Sequence, residues 1–172
     1  GKPGKLELLS KGIDGDVPSK PFGDDGEYAF SPDGRTVYFD ARIAGKTEPW
    51  STNFDIYSVP ADGSAAPKNL TASNAAWDAN PLPSADGKTL YYAAMKRPTF
   101  EADRFGIMAL DLASGQTREI DPKWDRSAGA LQLSKDGKTL FTVTYDNGDH
   151  ALFAIDIGSG KATRLGATGH VE

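Results

Sequence analysis

One nine-residue pattern occurs three times in this chain and restricts the folds that the chain can adopt. Residues 31–39 read SPDGRTVYF, residues 84–92 read SADGKTLYY and residues 134–142 read SKDGKTLFT. The serines that begin successive copies are 53 and 50 residues apart. Repeats of about 40–50 residues that each contain several short strands are typical of β-propeller blades. The spacing therefore predicts an all-β chain built from blade-like units.

Each copy fits the turn between the first and second strands of a four-stranded antiparallel meander. The predicted first strands cover 27–30, 80–83 and 130–133, the second strands 36–41, 89–94 and 139–144, the third strands 55–60, 106–112 and 151–157, and the fourth strands 68–71, 117–120 and 162–165. The blades then cover approximately 25–73, 78–121 and 127–166, and 5–9 reads as an orphan strand. Because closed propellers usually have about 4–8 blades, we predict that residues 1–172 are a fragment of one propeller domain, a partial β-propeller of about three four-stranded antiparallel blades plus one orphan strand. Such an arc leaves two blade faces uncovered, which predicts self-association, unless the orphan strand folds back to cap one end.

Each copy of the pattern contains an Asp-Gly pair that we interpret as a structural turn. Glycine can adopt the left-handed backbone conformation that closes a short hairpin. The predicted turn residues are Asp33, Gly34, Asp86, Gly87, Asp136 and Gly137. In a meander, these turns all lie at one end of the blades, which we call the turn face.

The opposite end of the blades, which we call the loop face, carries loops of unequal length. The loops between the second and third strands of the first two blades, 42–54 and 95–105, are long, whereas 146–150 is a tight turn. Because binding residues concentrate on variable loops held by a rigid scaffold, we expect function on this face. The residues predicted to brace these loops or to contact another domain are Trp50, Phe100, Trp124, Asp125 and Arg126.

Composition makes several classes of protein improbable. The chain has 19 Lys and Arg against 24 Asp and Glu, a net charge of −5. It has no basic run, so we expect no nucleic-acid partner. No apolar stretch approaches the roughly 20 residues needed to cross a membrane, so we expect no membrane partner. The absence of cysteine excludes disulfides, thiol catalysis and zinc–thiolate sites.

The sequence contains no recognisable catalytic motif. No serine has glycines two positions away on both sides, as the nucleophile elbow of a serine hydrolase requires. His150 and His170 are the only histidines, and we interpret both as solvated loop residues. Acid pairs at 24–25 and 101–103 leave glycosidase chemistry as an open alternative. We therefore predict no catalytic residue, no metal site and no cofactor in this chain.

Three longer stretches resemble one branch of a peptidase family. They are DGDVPSKPFGDDGEYAFSPDG at 14–34, AMKRPTFEADRFGIMALDLASGQTREI at 94–120 and KWDRSAGALQLSKDGKTL at 123–140. These stretches are similar to the propeller of prolyl-oligopeptidase-family serine peptidases, in the acylaminoacyl-peptidase/dipeptidyl-peptidase V branch. The Ser-x-Asp-Gly repeat by itself is shared with TolB-like periplasmic proteins. The resemblance implies that the chain is the N-terminal β-propeller portion of such a peptidase.

In that family the propeller precedes an α/β-hydrolase domain that carries the catalytic Ser, Asp and His. The resemblance therefore implies a parent protein that is a serine exopeptidase, a propeller that gates substrate access, and a chain that is inactive alone. The implied partners are the missing C-terminal hydrolase domain and a peptide substrate. The alternative is a non-enzymatic TolB-like propeller that binds proteins. The sequence does not decide where the parent protein is located. A periplasmic or secreted parent is favoured over a cytoplasmic one.

The resemblance also implies a role for acidic residues on the loop face. In related dipeptidyl peptidases, an acid from an insertion between the second and third strands holds the free amino terminus of the substrate. Here the second long loop offers Glu101, with Asp103 and Arg104 beside it, as substrate-binding residues. The alternative is that Glu101 starts a short helical turn, or pairs with Arg97 or Arg104 and only braces its loop.

Overall fold

The computed structural model describes residues 4, 6–19 and 23–166, and its regular secondary structure consists almost entirely of β-strands. The strands are β1 (Tyr28–Phe30), β2 (Thr36–Arg42), β3 (Phe54–Pro60), β4 (Lys68–Asn69), β5 (Asp78–Pro83), β6 (Thr89–Ala94), β7 (Gly106–Asp111), β8 (Thr117–Glu119), β9 (Leu131–Leu133), β10 (Thr139–Asp146), β11 (Asp149–Asp156) and β12 (Ala162–Leu165). Two short 3-10 helices, Asp25–Glu27 and Gly45–Trp50, precede β1 and β3. Strands dominate because short runs rich in β-branched and aromatic residues alternate with glycine turns.

Within the described ranges, the strands form three four-stranded antiparallel sheets in chain order: β1–β4, β5–β8 and β9–β12. We call these sheets blades 1, 2 and 3. The three blades do not close into a ring. The predicted all-β fold, a partial β-propeller with three four-stranded antiparallel blades, is thus confirmed.

The three Asp-Gly turns share one hydrogen-bond network, which explains why the sequence repeats. In blade 2, the Ser84 hydroxyl donates to Asp86 Oδ1 (2.7 Å) and accepts from the Thr89 N–H (2.9 Å). The Lys88 N–H donates to Asp86 Oδ1 (3.1 Å), and Gly87 has a φ of 69°. The turns of blades 1 and 3 contain the same bonds. The serine hydrogen bond, helped by the backbone N–H, lowers the pKa of the aspartate in each turn.

Blade 3 differs most from the predicted strand bounds. β10 and β11 pair without interruption from Thr139↔Asp156 to Asp146↔Asp149. Asn147 and Gly148 between them have φ values of 52° and 93°. Two consecutive residues with positive φ form the hairpin turn whose twist matches that of paired strands. The loop face of blade 3 therefore carries a two-residue turn where blades 1 and 2 carry long loops.

Most of the core lies at the junctions between neighbouring blades. Between blades 1 and 2, Ile56 and Leu90 are fully buried and belong to one cluster with Tyr38 and Tyr92. A larger cluster between blades 2 and 3 is centred on residues such as Leu140, which is also fully buried. Burying such a side chain stabilises the fold by about 1.5–3 kcal/mol. Contacts between blades thus give the loop face a rigid base.

The N-terminal segment covers the central part of the outer face of blade 1. Leu9, Ile13 and Val17 pack against the cluster that contains Val37 and Phe39. The expectation of two uncovered blade faces is therefore wrong for the centre of this face, whereas the two aromatic side chains of β1 remain exposed at its edge. The physical reason is that packing these three apolar side chains against the sheet removes apolar surface of both from water.

The predicted orphan strand at 5–9 is not observed as a strand. Residues 6–9 belong to none of the three sheets, and Lys5 lies outside the described residues. A fourth strand needs a neighbouring third strand with which to form backbone hydrogen bonds. Without that neighbour, Leu9 packs on the face of blade 1, where burial of its side chain is favourable.

The outer face of blade 3 carries an apolar patch, which we call the outer patch. It consists of Phe141, Val143, Tyr145, Leu152 and Leu165. The register places Val143 opposite Leu152, and Leu152 opposite Leu165, on the side away from blade 2. Tyr145 and Leu165 are exposed and the other three are half-buried.

Candidate functional site

The two long loops meet on the loop face. β2 and β3 run antiparallel, as do β6 and β7, so that the loops 43–53 and 95–105 both lie opposite the Asp-Gly turns. The Thr99 N–H donates a hydrogen bond to Thr52 Oγ1 (2.9 Å) and joins the loops. Thr99 has a φ of 63°, which a β-branched residue rarely adopts. The link between the loops therefore coincides with a strained backbone position.

A cluster of three aromatic rings connects the same two loops to the junction between blades 1 and 2. Phe54 and Trp77 are stacked with centroids 4.5 Å apart, and Trp77 meets Phe105 edge-on at 5.8 Å. Arg42 lies over Phe54, with its guanidinium carbon 5.3 Å from the ring centroid. Aromatic pairs of this kind contribute about 0.5–1.5 kcal/mol beyond their burial. Phe54 begins β3 and Phe105 directly precedes β7, so these contacts hold the ends of both loops in place.

Asp103 organises the backbone of the second long loop. Its Oδ2 accepts hydrogen bonds from the N–H groups of Lys96 and Arg97, both at 2.8 Å. Partial desolvation raises the pKa of Asp103, but the backbone hydrogen bonds outweigh this effect and the net shift is downward. The carboxylate is therefore ionised at neutral pH and is engaged within its own loop.

Glu119, at the end of β8, binds both ends of the same loop. Its Oε2 lies 2.6 Å from Lys96 Nζ and its Oε1 lies 2.5 Å from Arg104 Nη2. The side chain is only 7% exposed. Desolvation raises its pKa, but the hydrogen bonds from the two cations lower it by more. Sequence reasoning missed Glu119 because Thr-Arg-Glu-Ile reads as an ordinary edge strand, and only the pairing of β7 with β8 brings it beneath the loop.

Glu101 is exposed at the tip of this loop. Among the residues that the structure describes, none forms a hydrogen bond or an ion pair with its carboxylate. The two arginines considered as its braces have other contacts. Arg97 lies over the Phe100 ring at 4.0 Å, and Arg104 pairs with Glu119. The geometry thus leaves the Glu101 carboxylate open to solvent.

Two aromatic side chains of the loop face are exposed. Trp50 ends the 3-10 helix of the first long loop and is 63% exposed, and Phe100 in the second long loop is 39% exposed. They belong to the two loops that the Thr99–Thr52 hydrogen bond joins. Large exposed apolar side chains of this kind can mark an interaction surface.

The Trp-Asp-Arg stretch of blade 3 makes contacts within its own blade. Trp124 meets Phe153 edge-on, with centroids 5.5 Å apart. Arg126 donates through Nε and Nη2 to Asp146 Oδ1 (2.9 and 2.7 Å), and its Nη1 lies 2.6 Å from Asp125. These bonds tie the loop that enters blade 3 to the end of β10.

Three carboxyl groups are buried near the loop face at the junction of blades 1 and 2. Burial raises the pKa of Asp40 to about 8 and that of Asp78 to about 7, and it also raises the pKa of Asp55. Hydrogen bonds from the Asn80 N–H to Asp40 (3.0 Å) and from Asn74 to Asp78 (2.8 Å) offset only part of this effect. Asp40 and Asp78 are thus largely uncharged at weakly acidic pH. Sequence reasoning missed all three.

The described part of the chain contains neither a metal-binding cluster nor a membrane-spanning helix. Among the described residues, no group of three or more His, Cys, Asp and Glu side chains is placed to hold a metal ion. In the same ranges, no helix is long and apolar enough to span a membrane. His150 lies edge-on to Tyr145, with centroids 4.1 Å apart, and His170 lies outside the described residues.

The fold places the chain in the class of TolB-like and peptidase β-propellers. No family model matches the sequence. A putative TolB from Agrobacterium tumefaciens superposes with a TM-score of 0.66 at 17% identity, covering 83% of this chain and 46% of that protein. A puromycin-hydrolyzing peptidase from Mycobacterium tuberculosis superposes with a TM-score of 0.62 at 24% identity, covering 83% of this chain and 23% of that one.

Sequence similarity points to one kind of peptidase within this class, dipeptidyl-peptidase 5. The chain is 34% identical over 146 residues to a probable dipeptidyl-peptidase 5 from Emericella nidulans, covering 81% of this chain and 20% of that protein. It is 31% identical over 162 residues to a probable dipeptidyl-peptidase 5 from Arthroderma benhamiae, covering 88% of this chain and 22% of that protein. The resemblance stated from the sequence is confirmed. The chain spans about a fifth of the length of these relatives.

Proposed function

We propose that this chain, residues 1–172, is part of the substrate-gating propeller of a serine exopeptidase of the dipeptidyl-peptidase 5 type, and that it is inactive alone. The observation that carries this proposal is the similarity to dipeptidyl-peptidase 5 over more than four fifths of the chain. The partner of the propeller is then an α/β-hydrolase domain that supplies the catalytic Ser, Asp and His. This domain covers the loop face, where Trp50 and Phe100 are exposed, and the substrate is a peptide.

The substrate-binding role falls to Glu101. A dipeptide-releasing enzyme must recognise a free amino terminus, and a carboxylate binds an ammonium group by charge-assisted hydrogen bonds. Glu101 is exposed and has no ionic partner among the described residues, whereas Asp103 and Glu119 are both engaged. Asp103 and Arg104 therefore act by holding the loop, and Glu101 binds the amino group. Closure by the hydrolase domain removes water and strengthens this contact.

Replacing Glu101 by Gln in the full-length parent protein is expected to lower kcat/KM for free-amine dipeptidyl substrates. A hydrogen bond to a charged group contributes roughly 1.5–3 kcal/mol, which corresponds to a loss of about 10- to 150-fold. Substrates with a blocked amino group should lose little. Steady-state kinetics on matched dipeptidyl fluorophores, with and without an N-terminal acetyl group, measures the difference.

The matched control is Glu48→Gln, which changes an exposed glutamate in the first long loop. This control variant should retain the kinetics of the parent on both substrates. An equal loss on free and blocked substrates would show that Glu101 only braces its loop. Active-site-titratable cleavage by the purified 172-residue chain would contradict the proposal that it is inactive alone.

A non-enzymatic role of the TolB kind remains the alternative function. The likeness to TolB is a likeness of fold at 17% identity, so no specific observation favours it over the peptidase assignment. A parent gene that encodes a hydrolase domain with a Gly-x-Ser-x-Gly elbow distinguishes the two functions. A parent gene without such a domain favours the TolB-like role.

We also propose that the isolated chain self-associates through the outer patch of blade 3. The central part of the outer face of blade 1 is covered by residues 9–17, so we expect association through the outer patch, and two copies that pair through the same patch form a closed dimer rather than an open polymer. Tyr145→Lys should shift the molar mass measured by light scattering from dimer to monomer. Trp50→Lys, which changes an exposed apolar residue on the loop face, should leave the dimer intact. An unsubstituted 172-residue chain that is monomeric at high concentration contradicts this expectation.

A further inference from the structure

Glu119 differs from the other carboxylates near the second long loop because it lies outside the loop. It ends β8, the outermost strand of blade 2, and pairs in register with Met108 of β7. From this position its two oxygens reach opposite ends of the loop. Oε2 binds Lys96 (2.6 Å) and Oε1 binds Arg104 (2.5 Å). No other carboxylate in the described part of the chain makes ion pairs with both Lys96 and Arg104.

The chain leaves space for this contact at Gly106. A Cβ atom on Gly106 would lie 2.5 Å from Glu119 Oε1 and 3.3 Å from Arg104 Nη1. Because real Cβ atoms do not approach other atoms so closely, a side chain at this position would displace the carboxylate. The absence of a side chain at position 106 therefore allows Glu119 to lie beneath the loop with its side chain 7% exposed.

The two ion pairs of Glu119 are unequal. Lys96 is 61% exposed, and exposed pairs contribute little because water screens them. Arg104 is only 25% exposed, and the Glu119 carboxylate that it pairs with is mostly buried. Removing either partner of such a pair leaves the other charge buried and uncompensated. Arg104 immediately follows Asp103 and lies three residues from Glu101. The Arg104 pair thus fixes the end of the loop that is nearer to Glu101.

Asp103 and Glu119 therefore hold different parts of the structure. Asp103 accepts only from backbone N–H groups of its own loop, so it sets the internal shape of the loop. Glu119 connects that loop to β8 and therefore sets where the loop stands relative to the blade. A displacement of about 1 Å at a substrate-positioning group can cost about two orders of magnitude in rate. The position of the loop relative to the blade, which Glu119 sets, therefore matters for substrate binding.

We infer that Glu119 is a positioning residue: it fixes the loop that presents Glu101 and so sets where the free amino group of the peptide binds. This inference rests on the proposed function of Glu101. It assigns to Glu119 no contact with substrate. Its effect on binding passes entirely through Glu101.

The test combines Glu119→Gln and Arg104→Gln, which remove the same ion pair from its two sides. In the full-length parent, each variant should raise KM for a free-amine dipeptidyl fluorophore about tenfold, with little change in kcat or on the N-acetylated substrate. In a Glu101→Gln background, either change should add less than about twofold, because residues that act through one contact are not additive. Glu48→Gln again serves as the control.

Amide hydrogen exchange on the 172-residue chain measures how the ion pair of Glu119 affects the second long loop, and it does not depend on enzyme activity. Glu119→Gln should increase exchange at the backbone N–H groups of residues 96–97 and 99–104 while blade 3 keeps its protection. Unchanged exchange, or kinetic losses that add fully to those of Glu101→Gln, would overturn the inference. If exchange increases but Glu101→Gln has no kinetic effect, the ion pair holds the loop and the proposed function of Glu101 has failed.

Discussion

Raising the pH from about 5 to about 8 is expected to destabilise this protein by about 4 kcal/mol through Asp40 alone. Burial raises the pKa of Asp40 from 3.8 to about 8 against the lowering effect of the Asn80 N–H hydrogen bond, and the nearby acids Glu27, Asp24 and Asp78 raise it as well. The folded state therefore holds a proton that the unfolded state releases. Stability falls as the pH rises through this range and levels off above about 8, where both states are ionised.

Asp78 acts in the same direction over a narrower range. Burial raises its pKa from 3.8 to about 7, against hydrogen bonds from Asn74 and Thr71, and nearby Asp55 raises it as well. One oxygen of Asp78 and one of Asp55 are buried without a hydrogen-bond partner in the described residues. Ionising either group therefore places an uncompensated charge between blades 1 and 2, which is costly.

Urea unfolding at about pH 5, 7 and 9 measures this effect as a change in the free energy of unfolding. Asp40→Asn and Asp78→Asn should each reduce the pH dependence, and Asp40→Asn should be at least as stable as the parent at about pH 8 because an amide does not ionise. Asp111→Asn is the control, since Asp111 is an exposed turn residue whose pKa is lowered by hydrogen bonds from Ser114. An unchanged pH dependence in both buried-site variants would contradict the assignment.

The repeat allowed the blades to be predicted because one turn fixes two strands. Ser, Asp, Gly and Thr each have a role in the turn, so finding the turn three times locates the first and second strands of three blades. The third and fourth strands follow from hairpin length. The N-terminal segment lacked such a turn. Its apolar residues fit an edge strand or a cover for a sheet face equally well, and only packing decides between them.

The site was less predictable than the fold, because its contacts join residues that are far apart in sequence. The loop face and its long loops follow from strand order alone. Glu119 is 15 residues from Arg104 and 23 from Lys96, and no local pattern connects them. Asp40 is likewise 40 residues from the Asn80 N–H that binds it. From the sequence alone, a polar residue near the end of a strand is predicted to be exposed. The contact with the neighbouring blade that buries it cannot be predicted from local sequence.

Replacing Asp146 by Asn is expected to reduce the free energy of unfolding by about 3 kcal/mol, because it breaks a buried ion-pair network. Asp146 ends β10, and its side chain is 9% exposed. One oxygen accepts two hydrogen bonds from Arg126, and the other lies 3.1 Å from Arg164 Nη1 of β12. The carboxylate thus joins the loop entering blade 3 to two of its strands. An Asn Nδ2 donor in its place would face guanidinium groups that can only donate.

Asp125→Asn is the matched control for this change. Asp125 also pairs with Arg126, at 2.6 Å, but its side chain is 81% exposed, and exposed pairs contribute little. Urea unfolding of both variants at neutral pH therefore separates buried from exposed partners of the same arginine. Equal losses in the two variants would mean that the network does not depend on burial. A large loss confined to Asp146→Asn would show that the Arg126–Asp146 pair stabilises blade 3 in the isolated chain. Arg126 would then be a loop-bracing residue whose role does not require contact with a second domain.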